Sequence, residues 1–473
     1  LKIQSTDFLK AADLALQNSE HTSIRDEFGL STPPKRSKAV EEFGDFQALR
    51  DHVKRIRQHS LDNLDHYLSQ FEAEALNNGN SVHFARDGEE MNTLVLDICR
   101  QHQVRKVAKG KSMVTEETEL NEHLIAAGLE VIETDLGEYI IQLAGEKPSH
   151  ITAPAVHKTE TEISELFLDK HHLGERELAT PADMVGEART VLREHFLSAD
   201  IGIIGANALV AENGYSMLVT NEGNGDLCAS LPNVLIICTT IERVLPTMGD
   251  AAATLRLLAR STTGQAITCY TSFYSGPRRE DDADGPVETH FILLDNKRSE
   301  VLASDYREIL ECIRCGACLN HCPVYIGAGG HAYGSVYPGP MGSVLTPLLT
   351  SLEESHVLPN ACTGCGRCAE VCPANIPLPD LLRDLRQEEN TLKISAPRWR
   401  RGIAIHAWLT CRPALYHFLT GLVISVLHKL GRKRGSFRSL PFADGWADQR
   451  DFPSPQAGTF MQQYKASVKN RDE

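Results

Sequence analysis

Cys312-Ile-Arg-Cys315-Gly-Ala-Cys318-Leu-Asn-His-Cys322-Pro323 is answered further along the chain by Cys362-Thr-Gly-Cys365-Gly-Arg-Cys368-Ala-Glu-Val-Cys372-Pro373. Each copy reads C-x₂-C-x₂-C-x₃-C-P. Three thiolates at this spacing wrap one iron–sulfur cubane, and the fourth normally ligates the other cluster of a pair. The spacing therefore predicts two [4Fe–4S] clusters with crossed ligands. One takes Cys312, Cys315, Cys318 and Cys372; the other takes Cys362, Cys365, Cys368 and Cys322. Gly316, Gly364 and Gly366 let backbone N–H groups approach the cluster sulfurs, and Pro323 and Pro373 suit the closing turns. Structural zinc needs two C-x₂-C pairs and a longer spacer, with no third close cysteine. Disulfides among four cysteines so closely spaced would be strained. Clusters that share ligands lie close together, which suits electron relay better than stapling.

Outward from this repeat, the chain of 473 residues is long enough for two or three domains. Its 42% hydrophobic and 23% charged residues are ordinary for a globular protein. A formal net charge of −15 argues against a nucleic-acid partner. Eight of the 13 cysteines belong to the repeat; Cys99, Cys228, Cys238, Cys269 and Cys411 read as buried free thiols in a reducing compartment, so a cytoplasmic location is expected. The N-terminal residues are polar and lack the apolar core of a signal peptide. No apolar run reaches the ~18 residues of a membrane helix. The nearest stretch, Phe418 to Leu427, is bracketed by His417 and Lys429. No transmembrane span is expected, while peripheral membrane contact stays open.

Residues 1 to about 38 read as an extended arm broken by Pro33-Pro34. A helical pattern follows from about Val40 to Asn77, carried by Phe46, Leu49, Val53, Ile56, Leu61, Leu64 and Leu68. Strands are expected at Ser81–Arg86, Arg105–Ala108, Val131–Thr134, Ile151–Pro154, Ile201–Ile204, Ser216–Thr220, Val234–Thr239, Ala266–Ser272 and His290–Leu294, with helices between many of them. Apolar strands alternating with helices predict an α/β domain with a mainly parallel sheet. A helix is expected from about Gly342 to Leu352 between the two cysteine motifs, and another from Asp380 to Glu389. The C-terminal stretch pairs basic Arg398-Trp399-Arg400-Arg401 with a second cluster at Lys429, Arg432, Lys433 and Arg434.

Two places in the α/β region are candidate binding elements. Lys109-Gly-Lys111-Ser112 lies between a strand and a helix and is an anion-site candidate, though not a Walker A loop. Glu212-Asn213-Gly214 resembles the Glu-Asn-Gly element of class I CoA-transferases, whose glutamate is a nucleophile; Glu212 is the candidate catalytic carboxylate. His150, His157 and His171-His172 have no carboxylate or cysteine partner at helical spacing and read as ordinary histidines.

Taken together, the clusters and the α/β region resemble the lactate-utilisation protein B family, the iron–sulfur proteins of bacterial L-lactate oxidation systems. The resemblance rests on Lys109-Gly-Lys-Ser-Met113, Glu133-Thr-Asp-Leu-Gly-Glu-Tyr139, Pro148-Ser-His-Ile151, Val219-Thr-Asn-Glu-Gly-Asn224, Arg314 to Tyr325, Gly329-Gly-His-Ala-Tyr-Gly334 and Tyr337-Pro-Gly-Pro-Met-Gly342. It implies a Rossmann-like LUD domain related to sugar-phosphate isomerases and CoA-transferases, followed by an α-helical ferredoxin-like module with two [4Fe–4S] clusters. It also implies two partners: a cysteine-rich oxidoreductase subunit and a small LUD-domain subunit.

The expected organisation is an N-terminal arm with helices (1–59), an α/β LUD domain (60–302), a two-cluster domain (303–390) and a helical or extended C-terminal region (391–473). The expected function is electron transfer in an L-lactate dehydrogenase complex, carrying electrons from lactate oxidation towards a respiratory acceptor. Two alternatives stand beside it. The α/β domain is itself an anion- or substrate-binding catalytic domain using Lys109, Lys111 and Glu212, or the clusters are redox-silent and the protein is a scaffold.

Overall fold

Apolar β-branched runs buried on both faces become the central strands of the α/β region. The strands are β1 (Ser81–Ala85), β2 (Lys106–Lys109), β3 (Glu130–Glu133), β4 (Ile201–Gly205), β5 (Ala208–Val210), β6 (Tyr215–Thr220), β7 (Val234–Thr240), β8 (Val244–Leu245), β9 (Tyr270–Tyr274) and β10 (Glu288–Leu294). The computed structural model describes residue 3 and residues 7–174, 176–439 and 451–472. Six strands form one sheet in the order β1-β10-β7-β4-β2-β3, and every neighbouring pair is parallel. Helices cover both faces and give two separate cores, one around Phe71, Phe167 and Phe291, the other around Met91, Leu120 and Leu124. Parallel strands bring their C-terminal ends to one edge, where open α/β sheets bind ligands. Lys109, Gly205 and Thr240 end there, followed by Lys111, Asn207 and Glu242-Arg243.

The structure departs from the sequence expectation at several places. Strands β8-β5-β6-β9 form a second, four-stranded mixed sheet instead of extending the first, and the expected 266–272 strand begins at Tyr270. Ile151–Pro154 is a turn, not a strand, because the His150 imidazole Nδ1 accepts from the N–H groups of Thr152 (3.0 Å) and Ala153 (3.1 Å). The N-terminal arm is helical, at Phe8–Gln17 and Ser19–Phe43, the second running straight through Pro33 and Pro34. Proline removes helix hydrogen bonds, but tertiary packing overrides that cost. Arg25, Thr32, Arg36 and Ala39 are buried, and the Gly29 position lies so close to Ile326 that a Cβ would sit 2.8 Å from its side chain. Cys99, Cys228 and Cys238 are buried, but Cys269 and Cys411 are exposed at a strand approach and a helix end.

Residues Leu1–Glu389 form one compact unit and Asn390–Glu473 a second. The α/β region and the cysteine repeat thus share a single body. The second unit contains helices Pro397–Thr410 and Pro413–Gly431. The latter spans 19 residues, has a mean hydropathy of 1.3 over an 18-residue window, and is only 11% buried. By length and composition it is sufficient to cross a membrane, while the expectation of no span rested on uninterrupted apolar runs, which His417 and Lys429 break.

Candidate functional site

Both cysteine motifs adopt the same local backbone. The residues two and four places after the first cysteine have positive φ: Arg314 (56°) and Gly316 (78°) in the first, Gly364 (73°) and Gly366 (78°) in the second. A short helix then follows, Ala317–Asn320 and Arg367–Val371 respectively. The N–H of Arg314 points at Cys312 Sγ (3.4 Å), as that of Gly364 points at Cys362 Sγ (3.3 Å). These loops curl around their sulfurs as a cluster-binding turn does.

The fourth cysteine of each motif crosses to the other. Cys372, Pro373 and Ala374 line a small internal void together with Cys312, Cys315 and Cys318. Cys322 lies by contrast in the electrostatic field of Cys362 and Cys365, and Cys368 in that of Cys362, Cys322 and Cys365. Burial, and after it these neighbouring thiols, pushes Cys372 up to about 11 and Cys368 up to about 12. Cys315, Cys318 and Cys322 are raised for the same reasons. Thiols packed like this resist becoming thiolates unless a cation compensates them, as iron does. The donor set, the void and the inward N–H groups all fit iron–sulfur clusters.

Arginines hold carbonyl oxygens at the start of the first motif and at the end of the second, where Cys372 joins the first quartet. Arg243 donates to Cys312 O (3.1 Å), Arg57 to Leu310 O (2.8 Å), Arg36 to Val371 O (3.1 Å) and Arg50 to Cys372 O (2.6 Å). Behind them lies a buried ion network. Arg298 grips Glu117 with two nitrogens (3.0 and 2.7 Å) and reaches Glu242 with Nε (3.1 Å). Tyr337 donates to Glu117 Oε2 (2.6 Å), and Arg314 lies over the Tyr337 ring (4.9 Å) and 3.7 Å from Glu242. Burial alone would raise Glu242; Arg298, Arg243 and Arg314 instead pull it down to about 2. This use of Arg314 explains why a non-glycine residue occupies a positive φ, a conformation of order 1 kcal/mol or more in cost.

His150 is a strut between the α/β region and the first motif. Its Nε2 donates to Asn320 Oδ1 (2.9 Å), whose amide donates to Thr262 O (3.1 Å). Burial pushes His150 down to about 4, so it is neutral, in keeping with its Nδ1 acting as an acceptor. His171 stacks on Phe167 and lies 3.2 Å from Glu187. His157 bonds Ser149 (2.7 Å) and Glu146 (2.8 Å).

A cavity of ≈ 500 Å³ opens between the strand ends and the first motif. Lys111, Asn207 and Thr220 stand on one side; Ile313, Arg314 and Cys315 stand on the other. A larger cavity, ≈ 640 Å³, lies near the N-terminal helices and the Gly329–Val336 loop and includes no cysteine. Only the smaller one joins strand ends to the repeat.

The sequence candidates separate in this setting. Lys111 borders the cavity; its Nζ donates no hydrogen bond among the described residues and has Glu138 Oε1 at 3.8 Å. Burial first, then Glu116 and Glu133 against the pull of Lys111, pushes Glu138 up to about 8. Lys109 does not face the cavity: it is fully buried and bonds Glu116 (3.1 Å) and Glu133. Glu212 is exposed, accepts from Met248 N (2.7 Å) at the start of helix Met248–Thr262, and is absent from the cavity wall. Its position corrects the expectation of a desolvated nucleophile. Arg57, Glu117, Glu242 and Arg298 escaped the sequence reading because isolated charges look like surface residues; for Glu117, Glu242 and Arg298 their position after strand ends was the available signal.

Comparison with known proteins gives these elements a family context. Residues 68–294 match the LUD domain, and residues 308–376 match the 4Fe-4S dicluster domain. The chain is 42% identical, over 449 residues and 92% of both lengths, to proteins named Lactate utilization protein B in Bacillus thuringiensis (strain Al Hakam), Bacillus cereus (strain AH187) and Bacillus anthracis (strain A0248). A solved DUF162 family protein from Deinococcus radiodurans covers 49% of this chain and 98% of its own, at 12% identity and a TM-score of 0.27.

Proposed function

The chain belongs to the lactate utilization protein B family, and from that premise we propose that it is the iron–sulfur electron-transfer subunit of an L-lactate-oxidising complex. In this reading Cys312, Cys315, Cys318 and Cys372 hold one [4Fe–4S] cluster, and Cys362, Cys365, Cys368 and Cys322 hold the other. A bound [4Fe–4S] cluster supplies one-electron redox chemistry. Two such centres match the two electrons lost, with two protons, when lactate becomes pyruvate. The observation that supports the reading is that Cys372 lines one void with Cys312, Cys315 and Cys318, while Cys322 lies in the field of Cys362 and Cys365.

The chain's own residues have definite tasks in it. Arg57 and Arg243 fix the start of the first motif by the Leu310 and Cys312 carbonyls, Arg36 and Arg50 fix the end of the second by Val371 and Cys372, and all four add positive charge near the first quartet. Ile151, Ile313, Met341 and Ile376 exclude water around the first quartet. Positive charge and dryness are the protein's means of tuning a cluster's potential. Electrons leave towards a respiratory acceptor by way of the second, solvent-facing motif. A cysteine-rich oxidoreductase subunit and a smaller LUD protein are the inferred partners, and a reducing cytoplasm is the inferred location.

A second reading is favoured by the cavity: the α/β domain binds a small carboxylate at its strand ends, with Lys111 as the attracting cation and the first motif within reach. The two readings are compatible. The test is an anaerobic potentiometric titration followed by EPR, with iron and sulfide counted on the same sample. About eight iron and eight sulfide per chain, with two interacting reducible signals, is the expected result. Full loading with no reducible signal would replace electron transfer by the scaffold reading. About four iron would remove the crossed pair.

A further inference from the structure

The charge of this protein is segregated along the chain. Residues 390–473 carry 14 Lys/Arg against 5 Asp/Glu, while residues 1–389 carry 34 against 58. The first unit is thus strongly acidic and the second strongly basic. Between positions 390 and 443 there are ten Lys/Arg and no Asp or Glu at all.

The same stretch exposes large apolar side chains on helices. Along Pro413–Gly431, Phe418 (68% exposed), Leu422 (55%), Val426 (47%) and Leu430 (70%) recur every fourth residue and form one stripe. The opposite face is covered by this unit's own C-terminal segment. Gly421 lies beside Gln462, Gly431 beside Ser454 and Phe437, and His428 Nδ1 bonds Pro455 O (2.9 Å). Helix Pro397–Thr410 has no buried residue and displays Trp399 and Trp408, with Arg398, Arg400 and Arg401 around the first. Lys429, Arg432, Lys433 and Arg434 close the far end of the stripe.

We propose that these two helices dock flat on an anionic lipid surface, with the Phe418–Leu430 stripe and Trp408 in the headgroup boundary and the flanking arginines and lysines on lipid phosphates. Tryptophan prefers that boundary, and a one-sided apolar helix with basic flanks lies in the interface plane. Charge selects lipid over an acidic protein groove here because the cations cluster at 398–401 and 429–434 beside the apolar stripe, and among the described residues of these clusters only Arg434 lies near an acid (Asp451, 3.9 Å), as a diffuse charged plane requires. The inference is independent of which substrate the redox system oxidises.

The test is co-sedimentation of the cluster-loaded full-length protein with vesicles of phosphatidylcholine alone or mixed with phosphatidylglycerol. Pelleting with the anionic vesicles only, lost in 0.5 M salt (about a 3–5 Å screening length), is expected. Arg398→Gln/Arg400→Gln/Arg401→Gln/Lys433→Gln weakens it at least about tenfold, as does Trp408→Ser/Phe418→Ser/Leu422→Ser. Unchanged iron content in both variants shows that each is folded. No pelleting, equal pelleting with neutral vesicles, or pelleting indifferent to both variants would overturn the proposal. So would retention in native membranes after a carbonate wash, which would replace docking by a span.

Discussion

Residue for residue, Cys312–Cys322 and Cys362–Cys372 follow one backbone path, yet their surroundings are opposite. Ile313, Cys315, Gly316, Ala317 and Cys318 are buried, whereas Thr363, Gly364, Cys365, Arg367 and Glu370 are exposed. A Cβ at Gly316 would meet His150, Thr152 and Ile151 within 3.5 Å; one at Gly366 would meet nothing within 4 Å. The first motif is part of the protein interior and shares a wall with the cavity at the strand ends. The second faces outward. A repeat of one sequence pattern has been divided into an inner end and an outer end, the arrangement expected of a conduit whose two termini meet different partners.

The sharpest way to break this comparison is to remove one thiol from each motif. Cys315→Ser and Cys365→Ser should each lose about four iron and lower lactate-dependent electron flow at least a hundredfold. Only Cys315→Ser should also lower thermal stability, because its side chain belongs to a packed core. Equal melting shifts would erase the distinction between inner and outer motifs.

Next in size is the ion network that backs the inner motif alone. Arg298→Met leaves Glu117 and Glu242 buried without their main cation and should cost about 3–5 kcal/mol in urea unfolding. The network also sets an acid limit. Glu242 is held at about 2 against an ordinary 4.5, so its contribution is intact above pH 4.5 and disappears as pH falls towards 2. A chain with Glu242→Gln should show a shallower loss of stability over that window.

A smaller effect sharpens the assignment of the cavity to the inner end. Glu138 titrates at about 8, so near neutrality it holds a proton and leaves the charge of Lys111 uncompensated. As pH rises through 8 the carboxylate ionises, and calorimetric affinity for pyruvate should fall severalfold. Lys111→Gln should weaken binding and flatten this profile. The smallest difference is between two glycines: Gly366→Ala should cost about 1 kcal/mol for its positive φ alone. Gly316→Ala should cost more, because the His150 ring must also give way.

Much of this division was hidden in the sequence. The cysteine spacing is local chemistry, so the two motifs and their iron–sulfur character could be read directly. The parallel strands were also legible, because strands such as Ile201–Gly205 and Val234–Thr240 must be apolar on both faces. What escaped depends on partners distant in sequence. Pro33-Pro34 reads as a break until the helix carrying it is seen clamped by Ile326 and by the Arg36 bond to Val371 O. Lys109 reads as an anion binder until two glutamates, one from the adjacent strand, are found around it. Glu242 and Arg298 are ordinary charges in a string of letters; burial makes them a frame.

That frame bears on how such a gene can be divided or recombined. Tyr337, from beyond the first cysteine motif, completes the coordination of Glu117 from the second strand–helix turn. A fusion or split placed near residue 302, where the LUD and dicluster matches part, would therefore expose a half-satisfied carboxylate on one fragment and an orphaned tyrosine on the other. The iron-binding segment is no transferable cassette. The tolerant seam for a tag, a tether or an exchange of modules lies just beyond helix Leu378–Thr391, next to the boundary between the two compact units.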